Sequence, residues 1–108
     1  MSHTINQEKF NELKSIMGEM FTTLIDTFID DTEKNLNELR NGLSNNNVDE
    51  VHRLAHSLKS TSANIGAEQL SAVAKKFELE AKEGNLTHAK ERINELEELY
   101  AVVKQEIK

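Results

Sequence analysis

Apolar residues recur at three- and four-residue spacing in five stretches of the chain. That is the period of amphipathic α-helices. The first stretch runs from about Asn6 to Met17, with Phe10, Leu13, Ile16 and Met17 on its apolar side. Thr4, in a capping box with Gln7, or Asn6 starts it; the sequence leaves both open. The second runs from about Glu19 to Leu43, with a stripe of Phe21, Leu24, Ile25, Phe28, Leu36, Leu39 and Leu43. Asp26, Asp30, Glu33, Asn37 and Arg40 hold the opposite face. Met20, Ile29 and Leu36 sit at the margins of the stripe, where they either close the core or lie exposed for a partner. After the Ser44-Asn45-Asn46-Asn47 loop, the third stretch starts near Val48 and ends near Gly66, with Asn47 as its N-cap. Its stripe is Val48, Val51, Leu54, Ala55, Leu58, Ser62 and Ile65. The fourth, about Ala67 to Glu83, uses Leu70, Val73, Ala74, Phe77 and Ala81. The fifth, about Thr87 to Ile107, uses Ala89, Ile93, Leu96, Leu99, Tyr100, Val103 and Ile107.

No stretch alternates with the period of a β-strand over a convincing length. Gly18, Gly42, Gly66 and Gly84 each fall at or just past the end of a helical segment, where a left-handed cap is wanted. The last four helices are of comparable length and joined by short loops, which makes chain neighbours antiparallel. The expected fold is all-α: an up-down antiparallel four-helix bundle with a short additional N-terminal helix across one end or side. Residues 1–108 form one domain, since this length suits one core and not two.

Composition narrows the function classes. Asp and Glu number 19 against 13 Lys and Arg, a formal net charge of −6. Nucleic-acid binding needs a basic footprint and is disfavoured. There is no cysteine, which removes disulfides, thiolate metal sites and thiol catalysis, and no proline to interrupt a helix. No apolar run is long enough to span a membrane. Met1-Ser2-His3-Thr4 does not open a signal peptide, so the expected location is cytoplasmic. A glycine-rich phosphate loop is missing, and the chain is too short for an ATP-binding kinase domain. Beginning at Met1 and ending with a full last helix, it reads as free-standing, and with no exposed hydrophobic seam evident a monomer is the expectation.

Chemistry concentrates on the third helix. With Leu58 at the centre of its stripe, His56 falls about 160° away at about 100° per residue. His52, Lys59, Ser60 and Ala63 share that outer face. His56 should therefore project from the bundle, with small neighbours one and two turns on. A histidine near its ordinary pKa is partly neutral and nucleophilic at pH 7. Lys59 can bring an ammonium to an anion carried on the ring. His3 and His88 read as terminus and surface.

The stretch Ala55-His56-Ser57-Leu58-Lys59-Ser60-Thr61-Ser62-Ala63-Asn64-Ile65-Gly66-Ala67 resembles the signature of histidine-containing phosphotransfer (HPt) domains, A-H-x-L-K-G/S-x-x-x-x-x-G. Leu24-Ile25-Asp26-Thr27-Phe28 after Gly18 is similar to that family's first long helix. Phe77-Glu78 followed by Gly84-Asn85 is similar to the close of its later helix. Ser60 stands where many members carry glycine. The resemblance implies a bundle that carries phosphoryl groups between receiver domains of a hybrid sensor kinase and a response regulator. His56 would be phosphorylated, Lys59 would offset the charge, and Gly66 would end the helix. It further implies no cofactor on this chain: Mg²⁺ and the chemical power belong to the receiver, and the chain is not itself an enzyme. The expected docking surface is the outer face of the second and third helices, with His52, Arg53, Lys59, Ser60, Ala63 and Asn64 as contacts, and Ile29 if it is exposed. A receiver's active site is rimmed with acidic groups, which Lys59 and Arg53 would meet.

Two other readings stand beside this one. A helical docking or adaptor module would need no chemistry at His56. His52 and His56, one turn apart, could join Asp49 in a weak metal site, although Arg53-Leu54-Ala55 between them is not a zinc-protease pattern.

Overall fold

A computed structural model of the chain describes residues 5–107. They form five helices and no strand: α1 (Gln7–Met17), α2 (Met20–Ser44), α3 (Val48–Asn64), α4 (Glu68–Lys82) and α5 (Ala89–Ile107). Number and order follow the apolar periodicity. α5 starts two residues later than the pattern suggests. The Asn85 side chain accepts the Thr87 N–H at 3.0 Å and holds the chain in a turn there, so His88 precedes the helix.

α2 packs on α3, α3 on α4, α4 on α5, and α5 returns to α2. This ring of four helices encloses one core. Leu39, Val51, Leu58, Leu70, Phe77, Ile93, Leu96 and Val103 are essentially inaccessible. None of the described helices is long and apolar enough to cross a membrane. The helices are also tied by polar and charged side chains. Arg92 donates to both Glu80 oxygens at 2.9 and 3.0 Å, joining α5 to α4. Arg40 pairs with Glu97, and Tyr100 and Lys104 both reach Glu33 at 2.8 and 2.7 Å, joining α2 to α5.

The margins of α2 resolve differently. Met20 is exposed, whereas Leu36 and Ile29 are core. Ile29 is 8% exposed and lines a groove with Phe21, Ile25 and Ile107. It is therefore not available as a docking contact, contrary to the sequence expectation. The gap in the apolar stripe between Phe28 and Leu36 is filled by Thr32 and Asn35, both buried. Asn35 Nδ2 donates to the Leu54 carbonyl at 3.0 Å and pins α2 to α3.

Gly42 also departs from expectation. It lies buried in the last turn of α2 and does not take the left-handed backbone of a cap. A Cβ there would stand 3.3 Å from Val51 Cγ2, so this glycine serves the close approach of α2 to α3. The left-handed residue of the following turn is Asn46, with φ of 52°, a conformation asparagine tolerates.

α1 buries none of its own residues. It is held at its start: Ile5 is 2% exposed, and the Asn6 N–H donates to the Gly66 carbonyl at 2.8 Å. Asn6 Oδ1 accepts the Lys9 N–H at 3.1 Å, which identifies Asn6 as the N-cap. The alternative cap Thr4 lies outside the described residues, as does His3. Gly66 has φ of +84°, and a Cβ there would stand 3.2 Å from the Asn6 carbonyl oxygen. Gly66→Ala should therefore destabilise by about 2–3 kcal/mol, combining backbone strain with a clash. Gly84, at φ of +75° with open space around it, isolates the strain alone. Its alanine variant should lose about 1–2 kcal/mol. Urea unfolding of the two variants, with hydrogen exchange at Phe10, tests this. Equal losses and an unchanged α1 would contradict the role given to Gly66.

Candidate functional site

α3 begins where Asn47 Oδ1 accepts the Glu50 N–H at 3.1 Å, with Asp49 and Glu50 favourably placed in the first turn. Val51, Leu54, Ala55, Leu58 and Ser62 face inward and fix the helix's rotation. His56 is thereby turned outward, its side chain 59% exposed. On α4, fully buried Phe77 fixes the rotation in the same way. The next residue, Glu78, then falls on the flank that faces α3, and its side chain is only 10% exposed.

One carboxylate joins the two groups singled out on α3. His56 Nδ1 donates to Glu78 Oε2. Lys59 Nζ donates to Glu78 Oε1 at 2.7 Å. Burial pushes the Glu78 carboxyl up and is the largest single influence on it. The hydrogen bonds and charges of Lys59 and His56 together outweigh burial and hold the group below its ordinary value of 4.5. Glu78 is thus a carboxylate at neutral pH and can only accept. That assigns a proton to Nδ1 of His56 and, in the neutral ring, leaves the lone pair on Nε2. No group among the described residues engages Nε2. The arrangement presents an oriented, exposed ring nitrogen beside an ammonium.

The contribution of Glu78 to stability has a definite acid limb. Its folded pKa is lowered, so the stabilisation is fully present above the ordinary carboxylate range and is lost as pH falls through the folded value. Glu78→Gln should cost about 1–2 kcal/mol at pH 7 by weakening two charge-assisted hydrogen bonds. The gap between wild type and variant should narrow below pH 4.5, the group's ordinary value. Thermal unfolding across that range checks it, and a gap that stays constant into acid would contradict the assignment.

The other expected site residues scatter around this centre. Ser60 and Asn64 are exposed and Ala63 is half-buried. His52 is half-buried, and exposed Arg53 donates to Glu50 at 2.6 Å on the side toward α2. Lys59 is tied to Glu78. Among the described residues, no three His, Cys, Asp or Glu side chains converge on a metal-sized site. The Asp49, His52 and His56 set is therefore not assembled.

Sequence reasoning missed Glu78 as a site residue. In the sequence the Phe77-Glu78 pair stands out only for its place at the close of a helix. An acid next to a fully apolar stripe position was the available signal. Only the register of α4 against α3 shows which residues it meets.

The model of the family described as Hpt domain matches residues 23–106. The solved structure of histidine-containing phosphotransfer protein B (HptB) from Pseudomonas aeruginosa PAO1 is similar to the chain. Its TM-score is 0.96 at 28% identity, over 99% of this chain and 93% of that one. No curated protein matches the sequence.

Proposed function

The chain belongs to the Hpt domain family, the histidine phosphotransfer proteins of phosphorelays, and from that premise we propose that His56 is the residue that carries the phosphoryl group. The observation that supports this is the shared carboxylate: Glu78 holds Nδ1 of an exposed histidine and the ammonium of Lys59 at once. In the forward step, the Nε2 lone pair attacks the phosphorus of a receiver's aspartyl phosphate. The N–P bond forms, the acyl P–O bond breaks, and the receiver's carboxylate leaves. The phosphorylated ring keeps its Nδ1 proton and is cationic, and Glu78 neutralises that charge. Lys59 offsets part of the charge on the phosphoryl oxygens. Transfer to a second receiver reverses these bond changes. Phosphoryl transfer depends mainly on positioning and charge neutralisation, so Mg²⁺ is assigned to the receiver and none to this chain. The chain acts as a carrier.

The same reading takes the ring α2–α5 as an up-down antiparallel bundle, supported by its short connections and cyclic packing. It places the protein in the cytoplasm as a monomer, with receiver domains of a hybrid kinase and a response regulator as partners. His52, Arg53, Ser60, Ala63 and Asn64 surround His56 and are proposed as docking contacts. Glu78→Gln should slow transfer roughly tenfold while leaving its site unchanged, in line with groups that orient a reacting imidazole.

The test is transfer of labelled phosphate from a phosphorylated receiver with Mg²⁺, followed by mapping of the label. Acid-labile, base-stable label on His56 is expected. Acid-stable label, or label mapped to another residue, would overturn the proposal.

A further inference from the structure

From one turn past His56 on α3 runs an open groove of about 620 Å³, walled by Lys9 of α1, by Lys59, Ser60 and Asn64 of α3, and by Lys75 of α4. Lys9 and Lys75 are exposed, and neither ammonium is ion-paired among the described residues. Lys59 is held by Glu78. The groove's acidic residue, Glu68, is engaged by Asn6 Nδ2 at 2.6 Å. With Lys59 set against Glu78, and Lys9 and Lys75 against Glu68, this groove keeps a net positive charge in a chain of net charge −6.

Accepting His56 as the phosphoryl carrier, we infer that Lys9 and Lys75 form a cationic wall that receives the carboxylate-rich rim of a receiver's phosphorylation site and sets how fast a receiver is captured. The placement of Lys9 follows from the clip described above. Ile5 and the Asn6–Gly66 hydrogen bond fix the start of α1, and Lys9 is the residue whose N–H the Asn6 cap accepts. α1 lies outside the span matched by the family model, which begins at residue 23. The N-terminal segment that supplies Lys9 thus lies outside the family model, although the similar HptB structure aligns over 99% of this chain. The groove is open and its lysines are exposed, which suits a protein surface better than a trapped small anion. The chain's net negative charge opposes a polyanion such as nucleic acid. Opposed local charges across an encounter surface act mostly on association rate and on choice of partner.

The test compares the second-order rate constant for phosphoryl transfer from a phosphorylated receiver in Lys9→Glu, Lys75→Glu, the double variant and wild type, at low and high salt. Lys90→Glu controls for net charge, since it lies on α5, which does not pack against α3. Each single reversal should slow low-salt transfer about three- to tenfold and the double variant more, and Lys9→Arg should restore the rate. High salt should shrink the differences. Wild-type rates in Lys9→Glu and Lys75→Glu, with normal labelling of His56, would overturn this inference alone. An equal slowing by Lys90→Glu would do the same, because net charge would then suffice. A wild-type chain that takes no label would overturn the carrier reading and this inference with it.

Discussion

Replacing His56 with glutamine should abolish phosphoryl acceptance while leaving the helical circular dichroism and the unfolding midpoint nearly unchanged. The two halves of this expectation have separate causes. An amide nitrogen has no available lone pair, so the substituted side chain offers a receiver's phosphoryl group nothing to bond, and transfer should fall to background. The histidine side chain is 59% exposed, so little packing is lost with it. A glutamine amide can still donate to Glu78, which also keeps its bond to Lys59. The change in stability should stay within about 1 kcal/mol. Labelling and urea unfolding on the same preparation separate the two effects. Retained label would move the nucleophile elsewhere. A loss of several kcal/mol would make the His56–Glu78 pair a structural clamp first.

Phe77→Ala should have the opposite profile. Phe77 is completely buried in α4 and ranks among the largest enclosed side chains of the core. Truncating such a ring removes its transfer free energy and leaves a cavity, a cost of about 3–5 kcal/mol. Domains of this kind have total stabilities of about 5–15 kcal/mol, so the variant should unfold at a much lower urea concentration. Leu79, two residues on and 51% exposed, is the internal contrast. Its alanine variant should stay within about 0.5 kcal/mol. Similar midpoints for the two variants would mean that α4 is not held by its Phe77 face. The rotation argument that places Glu78 beside His56 would then lose its basis.

Much of this was legible in the sequence, for a physical reason. Burial on a helix leaves a 3.6-residue trace, and here that trace was interrupted by breaks rich in Gly and Asn. The outward direction of His56 followed from the same trace, because Leu54, Ala55 and Leu58 leave it no other side of α3. What the trace does not carry is the pairing of one helix with another. Glu78 is seen as a site residue only when α4 lies against α3. Ile29 stays undecided in the sequence because a residue at the edge of a stripe is buried or exposed according to how close the next helix comes. Gly42 was read as a cap because a glycine that ends a helix and one that admits a neighbouring helix look alike in one dimension. Lys9 drew no notice, since its value comes from a clip between Asn6 and Gly66 across much of the chain.

The α2–α3 hairpin is fastened at two heights, by Gly42 against Val51 near its closed end and by Asn35 on the Leu54 carbonyl two residues before His56. These fastenings convert chain length into angular phase. A single residue inserted between Leu54 and His56 would advance the imidazole by about 100° and about 1.5 Å, away from Glu78. A residue added at the exposed Asn45–Asn46 turn would be taken up before the first fastening and leave the phase intact. The site thus sets no length on that turn in this chain, but the count of residues from Leu54 to Lys59 is fixed by the geometry of one carboxylate.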